Sequence, residues 1–312
     1  MKTEPKNLIE AVQYFSDEAT CVEFIARLKW DNGEPCCPKC GSLNVIGLKT
    51  RPVYKCREKG CEKQFSVKVG TIFEGCNVPL SKFLVCFWLL ANAKNGISSH
   101  EVARALSVSQ KTSWHMLHRV RKAMEEELEM QLTGAVEIDE CVIGGKAVHM
   151  HKARKESLTK KKAVTGNKTL VLGMVERGGR VRAKVVENAR RDTLLPEILQ
   201  NISPEANVYT DKLKSYALLK DHFESHESVD HFHGEYVNGK AHTNSLENYW
   251  CLLKRSVKGT YTKVAPFHTD RYLSEQSFRF NYRKTTDYGR FMQLCSMIFG
   301  KRLKFNELIG AE

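Results

Sequence analysis

No stretch of this sequence reaches the roughly 18 to 20 uncharged apolar residues that span a bilayer. The best apolar run, Phe83-Leu84-Val85-Cys86-Phe87-Trp88-Leu89-Leu90-Ala91, is far too short. The opening residues, Met1-Lys2-Thr3-Glu4-Pro5-Lys6, are polar and hold no signal-peptide core, so a cytoplasmic location is expected and no membrane contact. Thiols stay reduced in that compartment, which turns the eleven cysteines away from disulfides and towards metal ligation or buried apolar use. No internal repeat is present. Acidic residues are the minority, 36 against 49 Lys and Arg, for a formal net charge of +13. A surplus of that size points to a polyanion, most often nucleic acid, over the blander reading of a solvated basic surface.

The 312 residues are 42% hydrophobic, enough for one large packed domain and one or two small ones. Asn7–Trp30 reads as a short amphipathic helical segment, and Pro79–Ala93 as a buried helix opened by Pro79. Residues 97–131 read as helical with one break. From Ala135 the pattern changes to β-branched runs at Ala135–Ile138, Thr169–Val175, Val181–Val186 and Asn207–Thr210, with Gly-Gly turns at Gly144-Gly145 and Gly178-Gly179. A helix over Asp192–Asn201 lies between the last two runs, and helical periodicity returns at Ser245–Val257. Strands joined through a crossover helix predict a mixed α/β sheet. The polar, basic stretch Lys146–Lys168 reads as a mobile loop. The expected division is 1–78 for an N-terminal helix and cysteine module, 79–132 for a helical region, and 133–312 for the sheet domain.

Six of the eleven cysteines fall between Cys36 and Cys76. Cys37-Pro38-Lys39-Cys40 is a CxxC knuckle, and Cys56 and Cys61 form a second, wider pair. Four thiolates from two tight turns make a tetrahedral zinc site. Tyr54, Phe65, Val67 and Val69 are expected to form its small core. Cys36 and Cys76 fit the register less well. With no position left for water, such a zinc is structural, bracing a binding surface. Buried thiols without metal fit poorly beside Pro, Lys and Gly.

Ser98 and Glu101 form a capping-box pattern ahead of Val102, Ala103 and Leu106. A Ser107-Val108-Ser109 turn and a second helix from Gln110 follow. This is the form of a helix-turn-helix, in which Gln110, Lys111, Ser113 and Arg119 would meet the major groove or phosphates. The alternative is an ordinary helical hairpin.

Three acidic residues stand out by context. Asp139 follows Ala135-Val136-Glu137-Ile138, and Asp211 follows Val208-Tyr209-Thr210, each at or near the end of a buried strand. Glu247 lies at the start of a predicted helix, in His242-Thr243-Asn244-Ser245-Leu246-Glu247. Phosphodiester chemistry with two divalent cations needs such hard oxygen ligands on neighbouring strands and a helix. Glu140, beside Asp139, is the alternative first carboxylate. Beyond Glu247, Lys254, Arg255 and Lys258 are placed to hold phosphates, or form a solvated charged face. Glu247, Lys254 and Lys258, spaced seven and four apart, would share one helical face. Trp250, Leu253 and Val257 are expected to pack inward. Tyr272–Arg283 reads as a core helix with a basic rim. His242 and Asn244 support the site or cap the helix.

Asp139, Asp211 and Glu247 resemble the carboxylate triad of DDE transposases and retroviral-type integrases. Gly70-Thr71-Ile72-Phe73-Glu74, Glu137-Ile138-Asp139-Glu140, Gly144-Gly145-Lys146, Tyr209-Thr210-Asp211, His242-Thr243-Asn244-Ser245-Leu246-Glu247 and the Leu252–Tyr261 stretch resemble bacterial insertion-sequence transposases that carry an N-terminal zinc ribbon. The second cysteine pair is wider here than that family's usual CxxC. The resemblance implies an RNase H-like catalytic domain in 133–312, binding of the terminal repeats of a mobile element, and cleavage and strand transfer on double-stranded DNA with two Mg2+ or Mn2+ ions. It implies a bacterial, nucleoid-associated protein, and the need to cut two ends together implies a homodimer or larger assembly on DNA. Two rival readings share these features: an RNase H-like nuclease without strand joining, and a non-catalytic zinc-ribbon regulator.

Overall fold

The computed structural model describes residues 4–30, 33–48, 50–126, 130–144, 168–229, 242–262 and 264–311. All of Lys146–Lys168 except its last residue lies outside them, as does Gly145. The chain divides into two compact units, Met1–Glu125 with Lys284–Glu312, and Glu126–Arg283.

In the first unit, α1 (Leu8–Tyr14) and α2 (Glu18–Lys29) are two helices with separate caps, Asn7 and Asp17. The single segment expected over Asn7–Trp30 is broken because Asp17 accepts from the N–H groups of Ala19 and Thr20 and restarts the helix. A three-stranded antiparallel sheet follows, β1 (Val45–Gly47), β2 (Tyr54–Cys56) and β3 (Gln64–Phe65). Helix α3 (Leu80–Asn92) is buried on nearly every side, with Phe83, Leu84, Phe87, Trp88 and Leu90 in the core. Its first N–H groups, those of Leu80 and Ser81, donate to the Glu18 carboxylate at 2.8 and 3.1 Å, a charged cap supplied from another helix. Helices α4 (Ser99–Leu106) and α5 (Gln110–Ala123) come next.

In the second unit, five strands make one sheet: β4 (Ala135–Ile143), β5 (Thr169–Glu176), β6 (Val181–Val186), β7 (Asn207–Asp211) and β8 (Ser225–Val229), in the order β6-β5-β4-β7-β8. The β4–β5 and β5–β6 pairs are antiparallel; β4–β7 and β7–β8 are parallel. Helix α6 (Arg191–Asn201) makes the crossover before β7. The expectation that the first strand stops at Ile138 is corrected. It runs on to Ile143, because β5 pairs with it along its length and Cys141 and Ile143 remain buried. β8 has no apolar run in the sequence; it is a polar edge strand.

Alternation sorts the sheet's two faces. Val136 and Ile138 of β4, with Leu170, Leu172 and Met174 of β5, pack with Leu194 and Ile198 of α6. The opposite face carries Cys141, Ile143, Val171 and Val175. It is covered by α7 (Asn244–Arg255) and α8 (Thr269–Asn281) through Leu246, Tyr249, Trp250, Leu253, Leu273 and Phe280. Two shorter helices, α9 (Asp287–Ser296) and α10 (Phe305–Ile309), belong to the first unit, where Phe291 of α9 joins Phe15, Phe24 and Trp88.

Candidate active site

The cysteine module comes first in the chain. The Sγ atoms of Cys37, Cys40, Cys56 and Cys61 lie within 4.8 Å of one another, with Cys37–Cys61 at 3.7 Å and Cys40–Cys56 at 3.6 Å. Bonds of about 2.3 Å in a tetrahedron place sulfurs about 3.8 Å apart, so the four residues fit zinc. The first knuckle closes through Gly41 N–H to Cys37 O at 2.9 Å. The wider second pair is turned by Gly60 and Glu62, both at positive φ, +80° and +43°. Trp30 packs edge-on to Tyr54 and Phe65, 5.4 and 6.3 Å between ring centres, forming the ribbon's core. One zinc per chain is expected by metal analysis. Cys40→Ser should lose it and shift Trp30 emission to the red; a stable, zinc-free wild type would contradict this.

The α4–α5 pair shows how far the helix-turn-helix pattern extends. The capping box forms as expected, Ser98 Oγ accepting from Glu101 N–H and the Glu101 carboxylate from Ser98 N–H. Ser107 takes the left-handed conformation that ends α4, and Ser109 caps α5. Gln110 and Lys111 are exposed at the start of α5. The expectation that Ser113 and Arg119 face DNA is corrected. Ser113 is 0% exposed, its hydroxyl donating to Gln110 O at 3.0 Å and also to Ser99 O. Arg119 is 3% exposed and donates to Ile72 O and Glu74 O at 2.6 and 2.8 Å. These two side chains hold the pair together and clamp the Gly70–Glu74 stretch.

The carboxylates gather on the α7 face of the sheet. In the parallel β4–β7 pairing, Glu137 stands opposite Tyr209. The β4–β7 pairing ends there, and Asp139 and Asp211 each lie two residues beyond it, on the same face of their strands as Glu137 and Tyr209. Helix α7 lies along β4. The N–H groups of Ser245 and Leu246 donate to the Glu137 carboxylate, Trp250 Nε1–H donates to Asp139 Oδ2 at 3.0 Å, and burial raises the Cys141 thiol against the opposing charge of Lys254. Four helix residues rise about 6 Å and two strand residues about 6.6 Å, so helix and strand stay in step. Glu247, one turn before Trp250, is exposed and near enough to Asp139 for its charge to act on it. Burial pushes the Asp139 carboxyl up, against the pull of the Trp250 bond, and the charges of Asp211 and Glu247 push it further. Three like charges with one partly desolvated are a donor set suited to a divalent cation.

Glu140 points the other way. Its neighbour is Tyr216, whose hydroxyl donates to Glu140 Oε1 at 2.6 Å, and Tyr216 belongs to the α6-side core. Burial pushes the Glu140 carboxyl up to about 7 despite that bond. A carboxyl raised on folding favours the folded state below its unfolded value of 4.5, and that contribution is lost as pH rises through about 7. Metal-free protein should therefore melt at lower temperature at pH 8 than at pH 6. Glu140→Gln should flatten that slope; an unchanged slope would contradict it.

Lys254 and Arg255 are exposed at the end of α7. The α-helix ends at Arg255 and a wider π turn, Ser256–Tyr261, continues it, with Lys258 exposed within that turn. Asn244 is the exposed first residue of α7, next to the N-cap Thr243. His242 Nδ1 lies 3.2 Å from Glu137 Oε1 but without hydrogen-bond alignment. The basic rim expected on Tyr272–Arg283 loses Arg279, which is buried and paired with Glu275. Sequence reasoning missed Glu137, read as part of an apolar run, and Gly173, Asp139's partner on β5. A Cβ at Gly173 would stand 2.5 Å from the Trp250 ring, so the bare backbone makes room for the indole. A glycine inside an otherwise apolar strand was the available signal.

A four-cysteine ribbon that fits zinc, with a mixed α/β sheet covered by helices, defines a zinc-ribbon α/β class of protein. Comparison with known proteins agrees. Residues 131–281 match the ISXO2-like transposase domain, and residues 16–64 match the transposase zinc-ribbon domain. An uncharacterized protein of the transposable element ISH50 from Halobacterium salinarum is 27% identical over 254 residues, 78% of this chain and 84% of that one. An uncharacterized transposase-like protein from Haemophilus influenzae is 31% identical over 102 residues, 33% of this chain and 81% of that one. The chain belongs to the insertion-sequence transposases that join a transposase zinc ribbon to an ISXO2-like transposase domain.

Proposed function

We propose that this protein cuts the ends of a mobile DNA element and joins them to target DNA, using an RNase H-like domain whose triad is Asp139, Asp211 and Glu247. The observation that supports this reading is that Asp139, Asp211 and Glu247 stand on β4, β7 and α7 with the charges of Asp211 and Glu247 acting on the partly desolvated Asp139. The strand order, three antiparallel strands followed by two parallel ones, supports the RNase H-like assignment. Asp139 and Asp211 would hold Mg2+ or Mn2+ jointly, with Glu247 completing the second position. Such ions would activate water, and then the 3′-hydroxyl released by cleavage, as nucleophiles and would offset charge on the phosphate. Trp250 fixes the direction of the Asp139 carboxylate, and Lys254, Arg255 and Lys258 lie beyond it to take phosphates.

The zinc ribbon and the α4–α5 helix-turn-helix bind the terminal repeats, with Gln110 and Lys111 at the exposed start of the second helix. Lys111→Ala should weaken end binding in a gel shift, and unchanged binding would count against groove contact there. Two ends are brought together by a dimer or larger assembly, acting in the bacterial cytoplasm on double-stranded DNA. Divalent metal should let the wild type cleave element-end DNA to leave a 3′-hydroxyl, and strand joining should follow when target DNA is added. Cleavage without joining would favour a plain nuclease; binding without cleavage would favour a regulator.

A further inference from the structure

We propose that the Glu137–Arg177 ion pair is the positioning device that sets the spacing of the three carboxylates; this rests on reading Asp139, Asp211 and Glu247 as the metal-holding triad. Glu137 is 0% exposed, and its two oxygens accept four hydrogen bonds. Arg177 Nε–H and the Ser245 hydroxyl donate to Oε1 at 2.8 and 3.0 Å. The N–H groups of Ser245 and Leu246 donate to Oε2 at 2.9 and 3.1 Å. Arg177 reaches further. Its Nη2 donates to His242 O at 2.9 Å, its guanidinium lies 4.0 Å from the centre of the Tyr209 ring, and its backbone N–H donates to Ala135 O at 2.9 Å.

Three of these contacts sit next to a member of the triad. Glu137 precedes Asp139 by two residues on the same face of β4. Tyr209 stands in the same relation to Asp211 on β7. Ser245 and Leu246 directly precede Glu247 on α7. The pair therefore touches all three elements that bring the carboxylates together, without being one of the carboxylates. Burying an ion pair is a poor route to stability, because desolvation offsets most of the attraction, and an apolar pair of similar volume often does as well. What the pair adds is geometry. The carboxylate satisfies the open N–H groups of the first turn of α7 and meets the positive end of its dipole. The planar guanidinium bonds at its edge and stacks on its face, which an ammonium group cannot do together.

The test is Mn2+ binding to the full chain by isothermal titration, with wild type, Arg177→Lys, Glu137→Gln and Asp211→Asn compared. Arg177→Lys keeps the charge and leaves the Glu137 cap on α7, but loses the fork and the stack. Outer residues of a metal site typically change affinity 10- to 100-fold. Arg177→Lys and Glu137→Gln should thus each bind Mn2+ about tenfold more weakly, with zinc content, far-UV circular dichroism and end binding unchanged. Should Glu137→Gln fail to fold, Arg177→Lys decides alone. Wild-type Mn2+ affinity in folded Arg177→Lys would overturn the positioning role and leave the triad reading intact. Absence of any Asp211-dependent Mn2+ binding in the wild type would overturn both.

Discussion

Asp139→Asn and Asp211→Asn are each expected to slow cleavage of element ends by at least about 10^3-fold, roughly 4 kcal/mol at about 1.36 kcal/mol per tenfold. An amide removes the negative charge and half the metal-binding capacity of the side chain while keeping its size. End binding should survive, because the ribbon and the α4–α5 pair are in the other compact unit. Glu140→Gln is the matched control: it also removes a carboxylate, one residue from Asp139, but on the sheet face that meets Tyr216. Its effect on the cleavage rate should be far smaller. Single-turnover cleavage of end DNA measures all three. Equal losses for Asp139→Asn and Glu140→Gln would mean that face does not matter, and the assignment of the first carboxylate would fall.

Gly173→Ala is expected to be the most damaging substitution of a residue without a functional group. The added methyl would stand 2.5 and 2.6 Å from two carbons of the Trp250 ring and 3.0 Å from Leu246 Cδ1. Trp250 and Leu246 are buried between sheet and helix, so overpacking should cost about 1–3 kcal/mol. The indole must move, and with it the 3.0 Å bond to Asp139 Oδ2. Cleavage should then fall about 10- to 100-fold, as for other groups that orient a metal ligand. Trp250→Phe separates the two effects: it keeps most of the packing and loses only the N–H. A smaller drop in melting temperature with a similar loss of activity is the expected pattern. Full activity in Trp250→Phe would show that the indole bond does not orient Asp139.

Much of this was legible in the sequence, for physical reasons that differ by element. The zinc ligands are visible because tetrahedral ligation forces short loops between paired cysteines, and even the wider Cys56–Cys61 pair keeps that form. The central strands are visible because both faces are covered and the apolar run is continuous. Asp139 is harder, since β4 carries it in mid-strand and the acidic pair Asp139-Glu140 looks like a strand end. Only the alternation of faces, fixed once Trp250 and Tyr216 take opposite sides, separates the two carboxylates. Ser113 and Arg119 misled because a helix-turn-helix pattern gives spacing but not rotation. Whether α5 turns Arg119 towards solvent or towards the carbonyls of Ile72 and Glu74 depends on a partner segment 45 to 47 residues away. Glu137 was hidden for a related reason: a carboxylate among β-branched residues takes its meaning from a helix more than 100 residues later.

Mobility of a marked element in cells tests the central claim most directly. The gene is supplied beside a selectable marker flanked by the element's own ends, as wild type and as Asp211→Asn, with expression of both checked. The account predicts that the marker moves with the wild type and stays in place with Asp211→Asn. Equal movement with both would contradict it, because the strand chemistry would then not depend on the carboxylate at the end of β7.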